Sequence, residues 1–221
     1  MRDAARNALL AIANTSIGTR ETLRAVILDR LEFPSDSLID YAVKAIQDWL
    51  GPDLAHLNDF PKFFGLIEHA NERIQTSALI ALTQRLSNAD YHESLEKANI
   101  MSLLRSLSNS NNSKAVDFVK VALPALALSL ARNGHTSDII DLVEHNQLKV
   151  REGAATAIET ICRGPVLERK HLVEKDIIEN LVARGDHLDK TQTHLLASII
   201  PILVCDYLEA AKIDLIFPLV E

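Results

Sequence analysis

A short apolar motif returns along this chain at intervals of 37 to 40 residues. It consists of one apolar residue, two further residues, and then two adjacent residues that are usually both apolar. Its copies are Leu23/Val26/Ile27, Phe63/Leu66/Ile67, Ile100/Leu103/Leu104, Ile139/Leu142/Val143, Ile178/Leu181/Val182 and a weaker Leu215/Pro218/Leu219. A regular period of this length is typical of stacked copies of one helical unit, so we predict a repeat array rather than a single closed core.

A second motif accompanies the first and consists of a small residue followed by a mostly apolar one. Its copies are Ala8-Leu9, Ala45-Ile46, Ala81-Leu82, Ala122-Leu123 or Ala125-Leu126, Ala157-Ile158 and Ala197-Ser198. Small residues let two helix axes approach closely, while the larger neighbour fills the space to the next unit. We expect each unit to contain three helices in chain order, with the apolar motif on the second. We therefore predict that each pair lies on the buried side of the long third helix of its unit.

The composition agrees with helices rather than sheets. Apolar residues make up 48% of the 221 residues, but aromatic residues make up only 5%, and Leu, Ile and Ala dominate. This balance favours closely packed helices. Seven glycines are too few for nucleotide-binding loops or many tight hairpins.

We predict one array over the whole chain, with approximate units 1–16 (partial), 17–52, 53–88, 89–134, 135–164, 165–208 and 209–221 (partial). Gly51-Pro52 is expected to end a third helix, because proline removes a backbone donor. The pattern predicts that the chain begins at a third helix and ends inside a second helix, and the sequence at both ends is apolar. Terminal repeats normally carry polar caps. We therefore expect either membership of a longer array or self-association through uncapped ends.

Charge and hydropathy exclude several classes of partner. The net charge is −7 and no run of five basic residues occurs, which argues against nucleic acid. The longest largely apolar runs have 11 residues, well below the roughly 20 that a membrane span requires, so we expect no membrane insertion.

Cys162 and Cys205 lie in apolar helical stretches and are expected to be buried free thiols. A cytoplasmic location is expected, with the nucleus as the alternative.

The sequence contains no recognisable set of catalytic residues. The eight histidines are scattered, and neither His-Glu-x-x-His nor Cys-x-x-Cys occurs. The glycine-rich phosphate and dinucleotide loops and the Gly-x-Ser-x-Gly elbow are also absent from the sequence. We predict a protein that is not an enzyme, with no cofactor and no bound metal.

Three segments carry a resemblance to armadillo repeats. LEKANIMSLLRSLSN (95–109) and LVEKDIIENLVARGD (172–186) resemble the second helix of that family, and KVREGAATAIETIC (149–162) resembles its third helix. The resemblance spans nearly the whole chain, and the closely related HEAT repeats are an alternative for the looser units. It implies an all-α fold, a right-handed α-solenoid of armadillo or HEAT-like repeats.

In the family that these segments resemble, third helices line a concave groove that holds extended peptides or partner proteins. Importin-like members place Trp and Asn four residues apart on that helix. The matching positions here are Asn7/Ala11, Lys44/Asp48, Ile80/Gln84, Thr156/Thr160 and Leu196/Ile200. No pair is Trp with Asn, which argues against binding of nuclear-import cargo.

The resemblance implies a noncatalytic scaffold that binds a protein or an extended peptide. The polar candidates for groove contacts are Lys44, Asp48, Gln84, Thr156 and Thr160, whose side chains could hydrogen-bond a peptide backbone. The alternative at each position is a side chain that simply faces solvent.

Two further functions remain open. The first is a transport or trafficking adaptor of armadillo type. The second is a helical-repeat metalloenzyme similar to the deoxyhypusine hydroxylases, which need several His-Glu pairs, whereas this chain has only His92-Glu93.

Overall fold

The computed structural model describes residues 17–31, 35–56, 59–182 and 189–209. Within these ranges every regular element is a helix and no strand occurs. The helices are α1 (Ile17–Arg30), α2 (Asp36–Ala45), α3 (Gly51–His56), α4 (Phe60–Ile67), α5 (Glu72–Leu86), α6 (His92–Lys97), α7 (Ile100–Ser108), α8 (Ser113–Arg132), α9 (Thr136–Leu142), α10 (Leu148–Arg163), α11 (Val166–Glu174), α12 (Ile177–Val182) and α13 (Lys190–Glu209). A π-helical turn, Ile46–Leu50, joins α2 to α3, and a 3₁₀ turn, Ala89–Tyr91, precedes α6. The motif copies at Ala8-Leu9 and Leu215/Pro218/Leu219 lie outside the described residues.

The chain divides into two compact units, one up to Arg85 and one from Leu86. In the second unit α10 packs between two other long helices, α8 and α13. The shorter helices α6 and α7 precede α8, α9 connects α8 to α10, and α11 and α12 connect α10 to α13. The long helices are the third helices expected from the sequence. In the first unit the corresponding helices are α2 with its continuation, and α5.

The predicted helix stop at Gly51-Pro52 is wrong, because the helix that begins at Asp36 continues to His56. Immediately before Pro52 it widens into the π-helical turn, in which the Gly51 N–H donates to the Ile46 carbonyl. A proline ring collides with the carbonyl four residues earlier in a regular helix, and a π turn is a known way to accommodate such a disruption. A Cβ at Gly51 would also lie 2.9 Å from the Ala81 Cβ, so glycine permits contact with α5.

Polar caps mark the ends of several helices. The Ser35 Oγ accepts the Leu38 N–H at the start of α2, and the Asn112 Oδ1 accepts the Lys114 N–H at the start of α8. Both side chains satisfy donors that have no partner inside the helix. Just after α8, Gly134 adopts φ of 85°, a left-handed conformation that glycine adopts without strain.

The apolar motif, which marks the second helix of each unit, is buried in four of its five described copies wherever its side chains are described. Those copies contribute core residues on α4, α7, α9 and α12, among them Phe63, Ile67, Leu104, Ile139 and Ile178. The exception lies in α1, where Ile27 is buried, Leu23 is half-buried and Val26 is 51% exposed. The repeat pattern therefore identifies the core correctly except at the copy in α1.

The closest approach of helices in the second unit lies between α8 and α10. A Cβ at Gly153 would lie 2.8 Å from the Lys120 Cα and 3.0 Å from its carbonyl oxygen. No real Cβ tolerates such a distance, so Gly153 lets the two backbones touch. Ala122, Ala154 and Ala157 are completely buried in the same two helices. Small residues therefore set the spacing of these third helices.

Two histidines, which look scattered in the sequence, occupy the same structural position. They lie in the related segments Ile67-Glu68-His69-Ala70-Asn71 and Val143-Glu144-His145-Asn146-Gln147, each just before a third helix. The His69 Nδ1 accepts the Asn71 N–H at 2.9 Å, and the His145 Nδ1 accepts the Gln147 N–H at 3.2 Å. Because a backbone N–H can only donate, each Nδ1 must be unprotonated and each Nε2 carries the hydrogen.

The Nε2 atoms of these histidines reach back to the preceding repeat. The His69 Nε2 donates to the Leu31 carbonyl at 2.9 Å, at the end of α1. The His145 Nε2 lies 3.3 Å from the Asn109 Oδ1, just after α7. Each neutral histidine therefore hydrogen-bonds both its own repeat and the preceding repeat. We call this arrangement a histidine tie. Protonation of the His145 Nδ1 would remove the acceptor of the Gln147 N–H.

We predict that acid weakens the tie at His145. Burial, assisted by the charge of Arg151, lowers the pKa of His145 below its ordinary value of 6.5. The unfolded chain then binds the proton more readily, so this contribution to stability is present above about pH 6.5 and is lost as the pH falls further. Urea unfolding followed by circular dichroism should show lower stability at about pH 5.5 than at about pH 8.

The His145→Gln variant should be less stable near pH 8 but should lose less stability on acidification. His194→Gln, at an exposed position on α13, is the matched control and should keep the pH dependence of the wild type. Identical pH dependence in His145→Gln and wild type would contradict the role of this tie.

We also predict opposite effects for two alanine substitutions. Gly153→Ala should lower the free energy of unfolding by about 1–3 kcal/mol, because the new methyl group must displace the α8 backbone. Gly65→Ala, in α4, is the control, since nothing lies within 4 Å of its Cβ position. It should raise the free energy of unfolding by about 0.5–1 kcal/mol through better helix propensity. Urea unfolding measures both, and a stabilising Gly153→Ala would rule out the close approach of α8 and α10.

Candidate functional site

The third helices share a common register, which the buried pairs define. Four pairs are at most 1% exposed: Ala45-Ile46, Ala81-Leu82, Ala122-Leu123 and Ala157-Ile158. In α8, Ala125 is exposed, which decides between the two pairs that the sequence left open there. Because successive residues on a helix are 100° apart, the residue just before each pair and the residue three positions after its first member point away from the core.

The predicted pair Ala197-Ser198 is wrong. Ala197 is exposed and Ser198 is half-exposed, whereas Leu195 and Leu196 are buried. Because α13 has several apolar residues in succession, the position of a single alanine did not identify which of them face the core. The outward positions of α13 are therefore His194 and Ser198, and not Leu196 and Ile200.

The register places the five predicted contact residues on third helices. In the first unit, Lys44 is half-buried on α2, Asp48 is exposed in the π-helical turn, and Gln84 is exposed on α5. In the second unit, Thr156 is exposed and Thr160 is half-exposed on α10. The residues thus form two sets, one in each unit.

We call the outward residues of α8, α10 and α13 the third-helix face of the second unit. They are Val121, Ala125, Thr156, Thr160, His194 and Ser198. The Thr156 and Thr160 hydroxyls donate to the carbonyls of Glu152 and Thr156, each at 2.8 Å. Their oxygen lone pairs therefore face outward as acceptors, while their hydrogens are held by the helix.

Sequence reasoning missed Val121, which is 49% exposed on α8. It also passed over Ile80 as a contact, although Ile80 occupies the same register position on α5 and is 43% exposed. Alignment of the repeats in the sequence was sufficient to identify Ile80 as an outward residue. Val121 was hidden because α8 contains two Ala-Leu pairs and only the structure shows which of them is buried.

Charges next to the third-helix face of the second unit are paired with one another. The Lys120 Nζ lies 2.6 Å from the Glu152 Oε2, and Lys149 is bonded to Asp117, so both pairs link α8 to α10. Between α10 and α13, the Ser198 Oγ lies 2.7 Å from the Glu159 Oε1. Apart from His194, the outward residues are therefore uncharged, and two lysine–carboxylate pairs and the hydrogen-bonded Glu159 lie beside them.

His135 sits between two carboxylates and cross-links three short helices. Its Nδ1 lies 2.8 Å from the Asp138 Oδ2 on α9, and its Nε2 lies 3.7 Å from the Glu96 Oε2 on α6. Arg105 on α7 also binds Asp138. Burial raises the pKa of Glu96, although the charge of His135 opposes this effect. These contacts hold helices together within the second unit.

A cleft of about 870 Å³ lies elsewhere, between α1 and α4 of the first unit. Leu28 and Leu66 line it, and its charged residues include Arg24 and Lys62. The Lys62 Nζ is already engaged with the Asp59 Oδ2 at 2.6 Å. The cleft belongs to second helices and is separate from the outward positions of the third helices.

Metal and membrane functions find no support in the part of the chain that the structure describes. Over residues 17–31, 35–56, 59–182 and 189–209, no group of three or more His, Cys, Asp or Glu side chains could hold a metal ion. His92 and Glu93 have separate partners, because the His92 Nε2 bonds the Leu86 carbonyl and Glu93 pairs with Lys97. In the same ranges, no helix has the length and apolarity needed to cross a membrane.

Designed armadillo repeat proteins are among the solved structures that this chain resembles. A designed armadillo repeat protein in complex with the peptide (KR)4 is similar with a TM-score of 0.57 and 19% identity, over 90% of this chain and 92% of that chain. A computationally designed armadillo repeat protein for modular peptide recognition is similar with a TM-score of 0.57 and 18% identity, over the same shares. The fold is that of the armadillo repeat proteins.

The armadillo fold confirms the all-α solenoid class predicted from the repeat period. A third designed armadillo repeat protein agrees, with a TM-score of 0.55 and 18% identity over 81% of each chain. No protein-family model matches the sequence, and no curated protein matches it. At these identities the likeness establishes the fold alone, so function must be argued from the residues.

We predict that Cys162 is chemically inert in the folded protein. Its side chain on α10 is fully buried, and burial raises the pKa of its thiol to about 12. Since the thiolate is the reactive form, a thiol reagent at about pH 8 should label Cys162 only after unfolding. The measurement uses the Cys205→Ser variant, so that a single thiol is counted in native buffer and in guanidinium chloride. Rapid native labelling would contradict the burial.

Proposed function

We propose that this protein is a noncatalytic scaffold that binds an extended peptide or a partner protein along the outward positions of its third helices. The observation that carries the proposal is the shared register. In each unit taken by itself, the same two positions of every third helix point away from the core, on α2 and α5 in the first and on α8, α10 and α13 in the second, and most of these side chains are exposed. Outward positions that recur from repeat to repeat within a unit suit a partner that contacts several repeats in succession.

The chemistry of these positions supports a peptide backbone as the contact. The Thr156 and Thr160 oxygens present acceptors to an amide N–H, and Gln84 and Asp48 add further polar side chains in the first unit. Affinity in such a surface comes from a few well-packed contacts among many modest ones. The designed armadillo proteins of the same fold include one in complex with the peptide (KR)4 and one made for modular peptide recognition.

The alternatives fit the described residues less well. A transport or trafficking adaptor is a narrower form of the same proposal, but the Trp and Asn array of importin-like members is missing from the sequence. A metalloenzyme would need His-Glu pairs that converge, whereas His92 and Glu93 have separate partners. Stoichiometric iron or zinc in the purified protein would contradict the noncatalytic proposal. A cytoplasmic or nuclear location and self-association through apolar ends remain part of the proposal.

We predict that charge introduced at the outward positions weakens binding. Peptides are selected from a random display library on the purified full chain, and their affinity is measured by fluorescence polarisation. Lys44→Glu and Thr156→Glu should each weaken peptides that contact their own unit by about tenfold, because an unpaired charge then faces the peptide.

Two control variants carry matched changes away from the third helices. Lys170→Glu, at an exposed position on α11, matches Lys44→Glu, and Ser102→Glu, at an exposed position on α7, matches Thr156→Glu. Both controls should bind as the wild type does. Equal binding by all four variants, or no enriched peptide at all, would refute the proposed surface.

A further inference from the structure

We propose that Asn133 is a site of spontaneous deamidation, and that its isoaspartyl product keeps open the turn that joins α8 to α9. Asn133-Gly134 is the only place in the sequence where glycine follows asparagine, and the structure exposes both residues just after α8. Asn133 does not belong to the third-helix face of the second unit, so the modification is independent of the proposed function.

Asparagine followed by glycine can cyclise without an enzyme. The Gly134 backbone nitrogen loses its proton to solvent and attacks the Asn133 Cγ, the Cγ–Nδ2 bond breaks, and the side-chain nitrogen leaves as ammonia. Water then opens the resulting succinimide ring. Cleavage of the ring at the Cγ–N bond gives aspartate, whereas cleavage at the backbone carbonyl gives isoaspartate, in which the main chain runs through Cγ. Glycine favours cyclisation, because it has no Cβ to hinder the approach of its nitrogen.

The turn after α8 requires glycine at position 134. The Gly134 N–H donates to the Ala131 carbonyl at 3.1 Å, and the next N–H, that of His135, donates to the Leu130 carbonyl at 2.9 Å. These two bonds form a Schellman motif, which ends a helix with one residue in the left-handed conformation, and Gly134 has φ of 85°. Another residue would strain this turn, so the fold requires glycine at the position that makes Asn133 reactive.

The closed turn restrains both reacting groups. The Asn133 Nδ2 donates to the Ser129 carbonyl at 2.8 Å, which holds the side chain against the last turn of α8. The Gly134 N–H is engaged with the Ala131 carbonyl. Cyclisation therefore requires both hydrogen bonds to open. The end of a helix opens more readily than its middle, so we expect the rate of deamidation to follow the opening of this turn.

The products of deamidation oppose closure of the same turn. Each product carries a carboxylate, which cannot donate to the Ser129 carbonyl and lies at the negative end of the α8 dipole. Isoaspartate also adds a methylene group to the main chain, so the Gly134 and His135 N–H groups no longer meet the carbonyls of α8. The turn lies at the boundary of the predicted units 89–134 and 135–164. The modification therefore loosens the connection between two repeats.

The purified full chain is incubated in mildly alkaline buffer to test the site. Tandem mass spectrometry measures, at each asparagine, the mass gain that accompanies replacement of the amide NH2 by OH. We expect Asn133 to react faster than Asn146, which is also exposed but precedes glutamine. The reaction at Asn133 should be at least about tenfold faster in the chain unfolded in guanidinium chloride, because the turn then no longer restrains it.

Two variants complete the measurement of the reaction. Asn133→Gln should show no reaction at this position, because glutamine would have to form a larger ring, which closes far more slowly. Asn146→Gln is the matched control and should leave the reaction at Asn133 unchanged.

Hydrogen exchange measures the effect of the product on the turn. The isoaspartyl chain, purified by chromatography, is compared with Asn133→Asp, which carries the new charge without the added methylene group. The Gly134 and His135 N–H groups should exchange at least about tenfold faster in the isoaspartyl chain than in Asn133→Asp.

Each measurement has an outcome that contradicts the proposal. If Asn133 remains an amide while Asn146 reacts, the modification site is overturned. Equal rates at Asn133 in the folded and unfolded chains would overturn the control of the reaction by the turn. Equal exchange of the Gly134 and His135 N–H groups in the isoaspartyl chain and in Asn133→Asp would show that the product does not keep the turn open.

Discussion

The contact of small residues between neighbouring third helices is the constraint on which the rest of the second unit depends. At Gly153 even a methyl group would collide with the α8 backbone, so the observed register of α8 on α10 requires glycine at this position. That register buries Ala122 and Ala157 completely and turns the preceding residues, Val121 and Thr156, outward. Core packing and the candidate surface are therefore two consequences of one close approach, and a change in one alters the other.

The sequence predicted the core well because the core is periodic. The apolar motif and the Ala-Leu pairs repeat at helical spacing, and burial follows such spacing directly. Prediction failed where local sequence offers two solutions. In α13 a run of apolar residues conceals which ones face inward, so Ala197 was misplaced. At Gly51-Pro52 the expected helix stop does not occur, because a π-helical turn accommodates the proline and the helix continues.

The candidate site was only partly visible from the sequence. The polar candidates could be selected from their positions in the aligned repeats. Thr156 is exposed and Thr160 half-exposed at the outward positions that this alignment predicts. Pairing of charges across helices could not be foreseen, since Lys120 and Glu152 are distant in sequence and belong to different repeats. The two histidine ties were missed for the same reason, because each joins residues about one repeat apart, as His69 does with Leu31.

Charged and uncharged residues contribute differently to these cross-repeat contacts. Exposed ion pairs contribute little to stability individually, of order 0–1 kcal/mol, so Lys120–Glu152 and Lys149–Asp117 are not what holds α8 on α10. Their larger effect is on the surface, because each pair cancels charges that would otherwise attract charged ligands. Under the proposed function, the side chains that remain for contact with a partner include Val121 and the threonine oxygens beside it on α10. The same close approach that aligns α8 with α10 places these side chains on the outward surface.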